Sequence, residues 1–214
     1  MEKTDKMLAE KLLHISAIML QPESPFIWAS GWNSPIYTDI RKILSYPDVR
    51  NFIKVELSRT ILNAYPDVDA IAGVATGAIA IGAIVADCLG LPYVYIRKTP
   101  KDHGLENLIE GNLRPGSKVV VIEDIISTGG SSCNAIEAIR NSGCEVEGIA
   151  GLFNFEFPSA IKRFREVNVK MVSLLTYSAM VEVASEIHYI EPSDIETLRE
   201  WRKDPGSWTP SKRF

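Results

Sequence analysis

Cysteine is scarce in this sequence, with only Cys88, Cys133 and Cys144 among 214 residues. Their number is odd and their spacing matches no zinc motif, which argues against a disulfide framework or a cysteine-based metal site. We expect three reduced thiols, the state that is typical of cytoplasmic proteins.

The sequence also lacks an excess of basic residues. Its 23 Lys and Arg are outnumbered by 27 Asp and Glu, for a formal net charge of −4. Proteins that bind nucleic acid usually carry a basic excess or a basic face. We therefore expect no nucleic-acid partner, and any local cluster of cations should bind a small anion.

Long apolar segments are lacking as well. The longest uncharged run, residues 70–86, is interrupted by three glycines and is rich in alanine. This composition favours a buried strand, a tight loop and a buried helix over a membrane span. Residues 1–20 mix both charges and lead to no small-residue cleavage site, so they do not resemble a signal peptide. We expect a cytoplasmic protein with no membrane partner.

What the sequence does contain is an alternation of apolar strands and helices, with 46% hydrophobic and 23% charged residues. Apolar spacing predicts strands at 68–74, 93–97, 118–124, 145–153 and 169–175. It predicts helices at 7–20, 51–63, 77–89, 131–141, 159–165, 178–186 and 192–202. Near-continuous apolar strands joined by helices predict an α/β fold with a central parallel sheet covered on both faces. We expect one domain over 1–214, with its core sheet within 66–176.

Two segments depart from this alternation. Residues 1–45 become rich in aromatic residues, proline, serine and glycine after their first helix, which suggests a small N-terminal hood over a site. Residues 98–116 contain no clear helix or core strand. A connection of that length in a compact domain is usually functional or disordered, and we expect a mobile functional loop.

Two adjacent carboxylates, Glu123 and Asp124, end the predicted strand in the stretch VVVIEDIISTGGSS, residues 119–132. Side chains alternate along a strand, so the two cannot face the same layer, and at least one should project from the strand tip. Open parallel sheets bind ligands beyond the carboxyl ends of their strands. By itself, such a pair is also compatible with a strand that simply ends in solvent.

The turn after these carboxylates has the composition of a phosphate cradle. Residues 127–131 offer hydroxyl groups, two glycines and a predicted helix start. Glycine lets successive N–H groups point into one concavity, and a helix N-terminus adds a positive partial charge. Carboxylates accept hydrogen bonds from sugar hydroxyls, directly or through hydrated Mg²⁺. The Gly-Lys-Ser/Thr of a Walker loop is missing, and the whole pattern predicts a site for a sugar phosphate.

The same stretch resembles the signature with which type I phosphoribosyltransferases bind 5-phosphoribosyl 1-diphosphate (PRPP). The resemblance implies the type I phosphoribosyltransferase fold and Mg²⁺ as cofactor, brought with PRPP and held with help from Glu123 and Asp124. The PRPP-binding residues that it implies here are Glu123, Asp124, Ile125, Ile126, Ser127, Thr128, Gly129, Gly130 and Ser131. It also implies a pyrophosphate loop at 75–77, made of Ala75, Thr76 and Gly77. From the residues alone, a tightly packed strand–helix corner explains that loop equally well.

Several potential cations lie together at the start of the long segment, and Lys and Arg donate readily to phosphate oxygens. They are Arg97, Lys98, Lys101 and His103. Charge that develops on a leaving pyrophosphate is stabilised by groups held where it forms, and Gly104 gives the segment freedom to close. The stretch YIRKTPKDHGLENLIEG resembles the mobile catalytic loop of orotate phosphoribosyltransferases. FIWASGWNSPIYTDIRKILSYPDVR resembles their N-terminal segment.

Three separated motifs in the family order thus indicate an orotate phosphoribosyltransferase. The resemblance implies transfer of the phosphoribosyl group from PRPP to orotate, giving orotidine 5′-monophosphate and pyrophosphate in pyrimidine (UMP) biosynthesis. Lys101, Asp124 and Glu123 are the implied catalytic residues, with Lys101 acting on the departing pyrophosphate. The resemblance further implies a homodimer in which the catalytic loop reaches across the interface.

The contacts to the base are the least defined. The resemblance points to Ser127, and the secondary candidates are Ser30, Tyr37 and Arg41. Some family members carry Lys at the position of Ala29 and Arg near that of Phe155, and both are missing here. Two alternatives stay open: a phosphoribosyltransferase for a purine or uracil, and a PRPP-sensing regulator without catalysis.

Overall fold

The computed structural model describes residues 3–28, 31–99 and 108–210. The helices in these ranges are α1 (Lys3–His14), α2 (Pro47–Ala64), α3 (Ala78–Leu89), α4 (Gly130–Asn141), α5 (Pro158–Glu166), α6 (Tyr177–Glu186) and α7 (Asp194–Lys203), with a 3-10 helix at Ile40–Ser45. The strands are β1 (Ile18–Leu20), β2 (Phe26–Ile27), β3 (Asn33–Ser34), β4 (Ile36–Thr38), β5 (Ala70–Val74), β6 (Tyr93–Ile96), β7 (Ile109–Glu110), β8 (Lys118–Ile126), β9 (Glu145–Asn154) and β10 (Lys170–Thr176).

Six strands form the central sheet in the order β10-β9-β8-β5-β6-β7. All neighbouring strands in it run parallel except β7, which pairs antiparallel with β6 at the edge. A parallel sheet covered on both faces requires strands that are apolar throughout, and every residue of β5 is buried. The prediction of an α/β fold with a helix-covered central parallel sheet is confirmed.

The two faces of the sheet are covered by different helices. Val120 and Ile122 belong to the core that includes residues of α1, α2, α3, α6 and α7. Val119 and Val121 belong to a second core, built with α4 and α5. Neighbouring side chains of β8 therefore point to opposite layers, as the pleat of a strand requires.

The segment that precedes α2 forms two small antiparallel sheets, β1 with β4 and β2 with β3. It is anchored to the rest of the molecule at both ends. Helix α1 packs against α6 and buries Leu8 and Leu12 completely. Trp201 of α7 donates from Nε1 to the carbonyl of Asn33 over 3.0 Å. These contacts hold the small sheets beside the central one.

Two segments contain a strand that the sequence did not predict there. The first helix ends at His14, and Ile18–Leu20 forms β1 instead of its last turn. A short apolar run is compatible with the residue pattern of a helix or of a strand, and these residues form a strand because they pair with β4. The segment 98–116 contains β7, which pairs with Tyr95 and Ile96. A strand of two residues is too short to show a period in sequence.

Within the described ranges, no helix combines the length and the apolar character needed to cross a membrane.

Candidate functional site

A cavity of about 340 Å³ opens where the carboxyl ends of the central strands meet the small sheets. Its volume lies in the range typical of small-molecule sites. The lining residues are Thr38, Asp39, Ile40, Arg41, Ala75, Thr76, Gly77, Lys98, Glu123, Asp124, Ile125 and Ser131. They come from four separate segments. The parallel sheet brings together the three that follow or end β5, β6 and β8, because these strands end at the same edge, and residues 38–41 come from the segment that precedes α2.

Glu123 and Asp124 lie inside β8, not at its tip. The strand continues to Ile126 and remains paired with β9 to its end, so the predicted end of this strand is wrong by two residues. On the other side, pairing with β5 stops at Ile122, opposite Gly73. The cavity opens next to this unpaired part of β8, and that places both carboxylates in its wall.

Glu123 points toward α4 and is held by two hydroxyl groups. Its Oε1 accepts hydrogen bonds from Ser131 Oγ at 2.7 Å and Ser132 Oγ at 2.8 Å. The residue is 3% exposed. Burial raises the pKa of Glu123 to about 7, while the two serine hydrogen bonds oppose the rise and the charge of Asp124 adds to it. Glu123 therefore exchanges its proton near neutral pH.

Asp124 points to the opposite layer, against the start of α3. A β-carbon on Gly77 would overlap the Asp124 carboxylate, so a larger residue there would force that side chain to move. Burial raises the pKa of Asp124, and the backbone N–H groups of Ile125 and Asp124 oppose this rise, as do the charges of Arg41 and Lys98. Asp124 is only partly buried, and it is the more accessible acceptor of the pair.

The turn after β8 leads directly into α4. Gly129 has φ of +80° and is the N-cap of α4. A β-carbon on Gly129 would lie 3.2 Å from Phe164 of α5, so the turn is packed tightly against that helix. No side chain in the described part of the chain caps α4. The N–H groups of its first turn are thus suited to an anionic ligand.

The predicted pyrophosphate loop follows β5 and precedes α3. Ala75 N donates to the carbonyl of Ile96 over 2.8 Å, and Gly77 is the N-cap of α3. The peptide bond between Ala75 and Thr76 is cis. Since Val74 pairs with Ile96, the loop lies beside Lys98, two residues further along the chain. The structure therefore groups a cation with this loop at the cavity.

Arg97 and Lys98 are adjacent in sequence but separated in the structure. Lys98 lines the cavity. Arg97 Nη1 lies 3.4 Å from Glu110 Oε1 of β7, and its backbone N–H donates to the carbonyl of Leu108. Lys101 and His103, the other two cations predicted for this site, fall outside the described residues.

The small sheets supply the remaining wall of the cavity. Of the predicted base contacts, Arg41 lines it, whereas Tyr37 is 37% exposed and packs against Phe26 with ring centroids 5.5 Å apart. Ser30, like Ala29, lies outside the described residues, and Ser127 lies in the bend after β8. Sequence reasoning missed Thr38, Asp39 and Ile40. A carboxylate two residues before the candidate Arg41 is the signal that could have identified Asp39.

Phe155 occupies the position near which some family members carry arginine. It is 1% exposed. Its ring packs against Trp28, Phe157 and Trp201, with centroid distances of 5.5, 5.2 and 5.9 Å. This position is part of the aromatic core and supplies no charge to the cavity.

The described residues contain no group of three or more His, Cys, Asp or Glu side chains that could bind a metal ion by themselves. Mg²⁺ bound with a phosphorylated substrate needs fewer groups, because substrate oxygens and water complete its six ligands. Asp124 in the cavity wall fits this second kind of site, whereas Glu123, also predicted to help hold the ion, is 3% exposed and points to the opposite layer.

Comparison with known proteins relates both sequence and fold to one family. Residues 46–183 match the family model described as phosphoribosyl transferase domain. An orotate phosphoribosyltransferase of Bacteroides thetaiotaomicron is 59% identical over 212 residues, which cover 99% of this chain and 100% of that protein. One of Cytophaga hutchinsonii is 47% identical over 203 residues, covering 95% and 97%. The crystal structure of orotate phosphoribosyltransferase from Aeropyrum pernix superposes with a TM-score of 0.74 at 27% identity, covering 86% of this chain and 99% of that one.

Proposed function

This chain belongs to the phosphoribosyl transferase family and, within it, to the orotate phosphoribosyltransferases, and we propose that it transfers the phosphoribosyl group of PRPP to N1 of orotate. The products are orotidine 5′-monophosphate and pyrophosphate. The observation that carries the proposal is the cavity in which Asp124, the loop at 75–77, Lys98 and the start of α4 meet. A sugar that carries a phosphate at one end and a diphosphate at the other needs this set of groups.

Asp124 is the proposed ligand of the ribose hydroxyls. It is the more accessible carboxylate, and the charges of Arg41 and Lys98, which oppose the rise that burial causes in its pKa, favour its charged form. A carboxylate accepts hydrogen bonds from hydroxyl groups. Its charge also favours the positive character that ribose C1 acquires as pyrophosphate leaves.

Glu123 has a different proposed role from its neighbour. Both serine hydroxyls donate to the same oxygen, Oε1. The carboxylate thereby ties the wall of the cavity to the first turn of α4, which is the proposed cradle of the 5-phosphate. We assign Glu123 to positioning this turn, with Ser127 to Ser131 around the phosphate.

The leaving pyrophosphate needs cations and N–H donors. In the described residues these are Lys98 and the backbone of the loop at 75–77. Lys101 and His103 are proposed to add charge when the segment 98–116 closes over PRPP. Cations placed where negative charge develops lower the barrier most, because they need no rearrangement during the reaction.

Mg²⁺ is the proposed cofactor, and oxygens of PRPP would hold it with help from Asp124. Glu123, the other carboxylate predicted to help, is buried and bound to Ser131 and Ser132 on the opposite side of β8. Once bound, Mg²⁺ neutralises the charge of the diphosphate and so makes it a better leaving group. The protein groups alone orient the ribose and exclude water from C1.

We further propose a cytoplasmic homodimer with the segment 98–116 shared across the interface, and no membrane or nucleic-acid partner. The three free cysteines support a reducing compartment. The dimer rests on the resemblance of this segment to the family loop. Analytical ultracentrifugation tests it, and a single species of 23.7 kDa at micromolar concentration would contradict it.

The decisive experiment is an assay of the purified protein with PRPP and Mg²⁺ across orotate, uracil, hypoxanthine and xanthine. We expect orotate to be converted and the other three bases to be used poorly. A preference for a purine or uracil would refute the assignment of orotate. Binding of PRPP without turnover of any base would instead identify a PRPP-sensing protein.

A further inference from the structure

We propose that Arg41, held in place by Asp39, binds the carboxylate of the acceptor base and thereby selects orotate over uracil. The inference rests on the proposed function, because it concerns the acceptor of that same reaction. Orotate differs from uracil by one carboxylate, so a site that prefers orotate needs a group that recognises this charge. A cation that pairs with the carboxylate of orotate discriminates against uracil, because bound uracil would leave that cation without its partner.

The structure narrows the choice of that cation. The described residues that line the cavity include two cations, Arg41 and Lys98. At Phe155 the chain places a buried aromatic ring, which cannot pair with a carboxylate. The choice among the described residues is therefore between Lys98 and Arg41.

Lys98 lies on the diphosphate side of the cavity. It follows β6, whose last residue, Ile96, pairs with Val74 immediately before the loop at 75–77. Arg41 comes from a different segment, the 3-10 helix after β4, which is not part of the central sheet. A base and a pyrophosphate that exchange at one carbon approach from roughly opposite directions. The two cations are thus divided between leaving group and acceptor.

Arg41 is also near the reaction centre. Arg41 and Asp124, the proposed ribose ligand, line the same cavity, and the charge of Arg41 opposes the rise that burial causes in the pKa of Asp124. The carboxylate of orotate is attached to the ring carbon next to N1, the atom that bonds to ribose C1. The carboxylate of bound orotate therefore lies near ribose C1, and a cation close to the ribose ligand is within reach of it.

Asp39 acts as a positioning residue. Arg41 Nε donates to Asp39 Oδ1 over 2.7 Å, and the two side chains are 63% and 20% exposed. This bond uses the inner nitrogen of the guanidinium. Nη1 and Nη2, with two N–H donors each, are not needed for it and suit a carboxylate that accepts two bonds. Fixing a long side chain beforehand also reduces the entropy lost on binding.

The test compares Arg41→Ala, Arg41→Lys and Asp39→Asn with a matched control, Arg59→Ala. Arg59 is 59% exposed and pairs with one carboxylate, that of Glu56 on α2, so its removal changes charge equally but away from the cavity. Steady-state constants for orotate and PRPP are measured, together with the inhibition constant of uracil against orotate.

We expect Arg41→Ala to raise KM for orotate by roughly 10- to 100-fold, as for loss of a charged hydrogen bond. KM for PRPP and the uracil inhibition constant should change by less than about 3-fold. Arg41→Lys should restore part of the loss. Asp39→Asn should raise KM for orotate less than Arg41→Ala, and add little to it in the double variant.

Two outcomes would overturn the inference. A rise of KM for PRPP in Arg41→Ala with unchanged KM for orotate would assign Arg41 to the diphosphate. If Arg41→Ala has the same kinetic constants as Arg59→Ala, Arg41 does not bind either substrate. If the unaltered protein does not use orotate, the proposed function itself fails, and that result is obtained before any variant is made.

Discussion

Gly77 and Asp124 are in direct contact in the wall of the cavity, where the start of α3 meets β8. A β-carbon on Gly77 would occupy the space of the Asp124 carboxylate. The proposed ribose ligand thus owes its position to a residue 47 places earlier that has no side chain.

Gly77→Ala should therefore displace Asp124 without unfolding the protein. We expect kcat/KM for PRPP to fall by about 100-fold, the loss typical of a misplaced catalytic group. Steady-state kinetics with PRPP as the varied substrate measures it. The matched control is Gly206→Ala, because a β-carbon there meets Trp32 at an ordinary 3.4 Å. Equal activity of the two variants would contradict the crowding at Gly77.

Asp124→Asn tests the charge of the same group while keeping its shape. If Asp124 binds the ribose hydroxyls and favours positive charge at C1, the amide should reduce kcat/KM for PRPP by roughly 10- to 100-fold. Asp87→Asn, at an exposed position of α3, serves as the control for loss of one negative charge. Unchanged binding and turnover of PRPP would rule out the ribose role.

Glu123 should make stability depend on pH in a direction opposite to that of most carboxylates. Its pKa rises from 4.5 to about 7 on folding. Its stabilising contribution is complete below pH 4.5 and is lost as pH rises through 7, since ionisation of a buried acid is costly. Glu123→Gln should remove this loss. Between pH 4.5 and pH 8, its free energy of unfolding should therefore rise by on the order of 3 kcal/mol relative to that of the unaltered protein.

Urea unfolding at pH 4.5, 6 and 8 measures this difference for Glu123→Gln. Glu145→Gln, at the exposed start of β9, is the matched control for replacing one carboxylate by an amide. A constant difference between the Glu123 variant and the unaltered protein across this range would mean that Glu123 does not titrate in it.

Ser132→Ala should destabilise the protein, and more so at high pH. Ser132 is 1% exposed and its hydroxyl donates to Glu123. Its loss leaves the carboxylate with one bond fewer, at a cost of about 1–3 kcal/mol. The cost should be larger at pH 8 than at pH 5, because hydrogen bonds to the charged form are stronger. Urea unfolding at both pH values shows whether the two costs differ, and equal costs would argue against the charge-assisted bond.

Lys101→Ala tests the proposed loop function. Removing a cation from the departing pyrophosphate should lower kcat by about 100-fold or more and leave the folded state intact. Rapid-quench or steady-state turnover gives kcat, and circular dichroism monitors folding. Lys162→Ala, whose side chain is 79% exposed on α5, is the control. Near-normal turnover of Lys101→Ala would refute the assignment.

The sheet could be predicted from the sequence because its signals are local. Strands β5 and β6 are apolar throughout, and β8, β9 and β10 contain apolar runs. Glycine or proline often marks the ends of the helices between them. Strand β1 could not be predicted, since three apolar residues after a helix extend its pattern as well as they start a strand. Only the antiparallel partner β4, 16 residues later, makes that run a strand.

In the candidate site, too, part of the arrangement follows from local sequence and part only from the fold. The order of apolar strand, two carboxylates and hydroxyl–glycine turn is a local pattern, and it was enough to indicate a sugar phosphate and a family. The pattern does not distinguish Glu123 from Asp124, or Arg97 from Lys98. In the folded protein, Glu123 is buried under two serines and Asp124 lies against Gly77, while Arg97 turns to Glu110 and Lys98 to the cavity.

These differences have one physical cause. The layer that a strand residue faces, and the charges it meets there, depend on register with neighbouring strands and on helices that pack over them. Composition and spacing specify which groups are present near one another along the chain. Burial, which raises the pKa of Glu123, and the approach of Arg41 to Asp124 arise from segments far apart in sequence, so they follow only from tertiary packing.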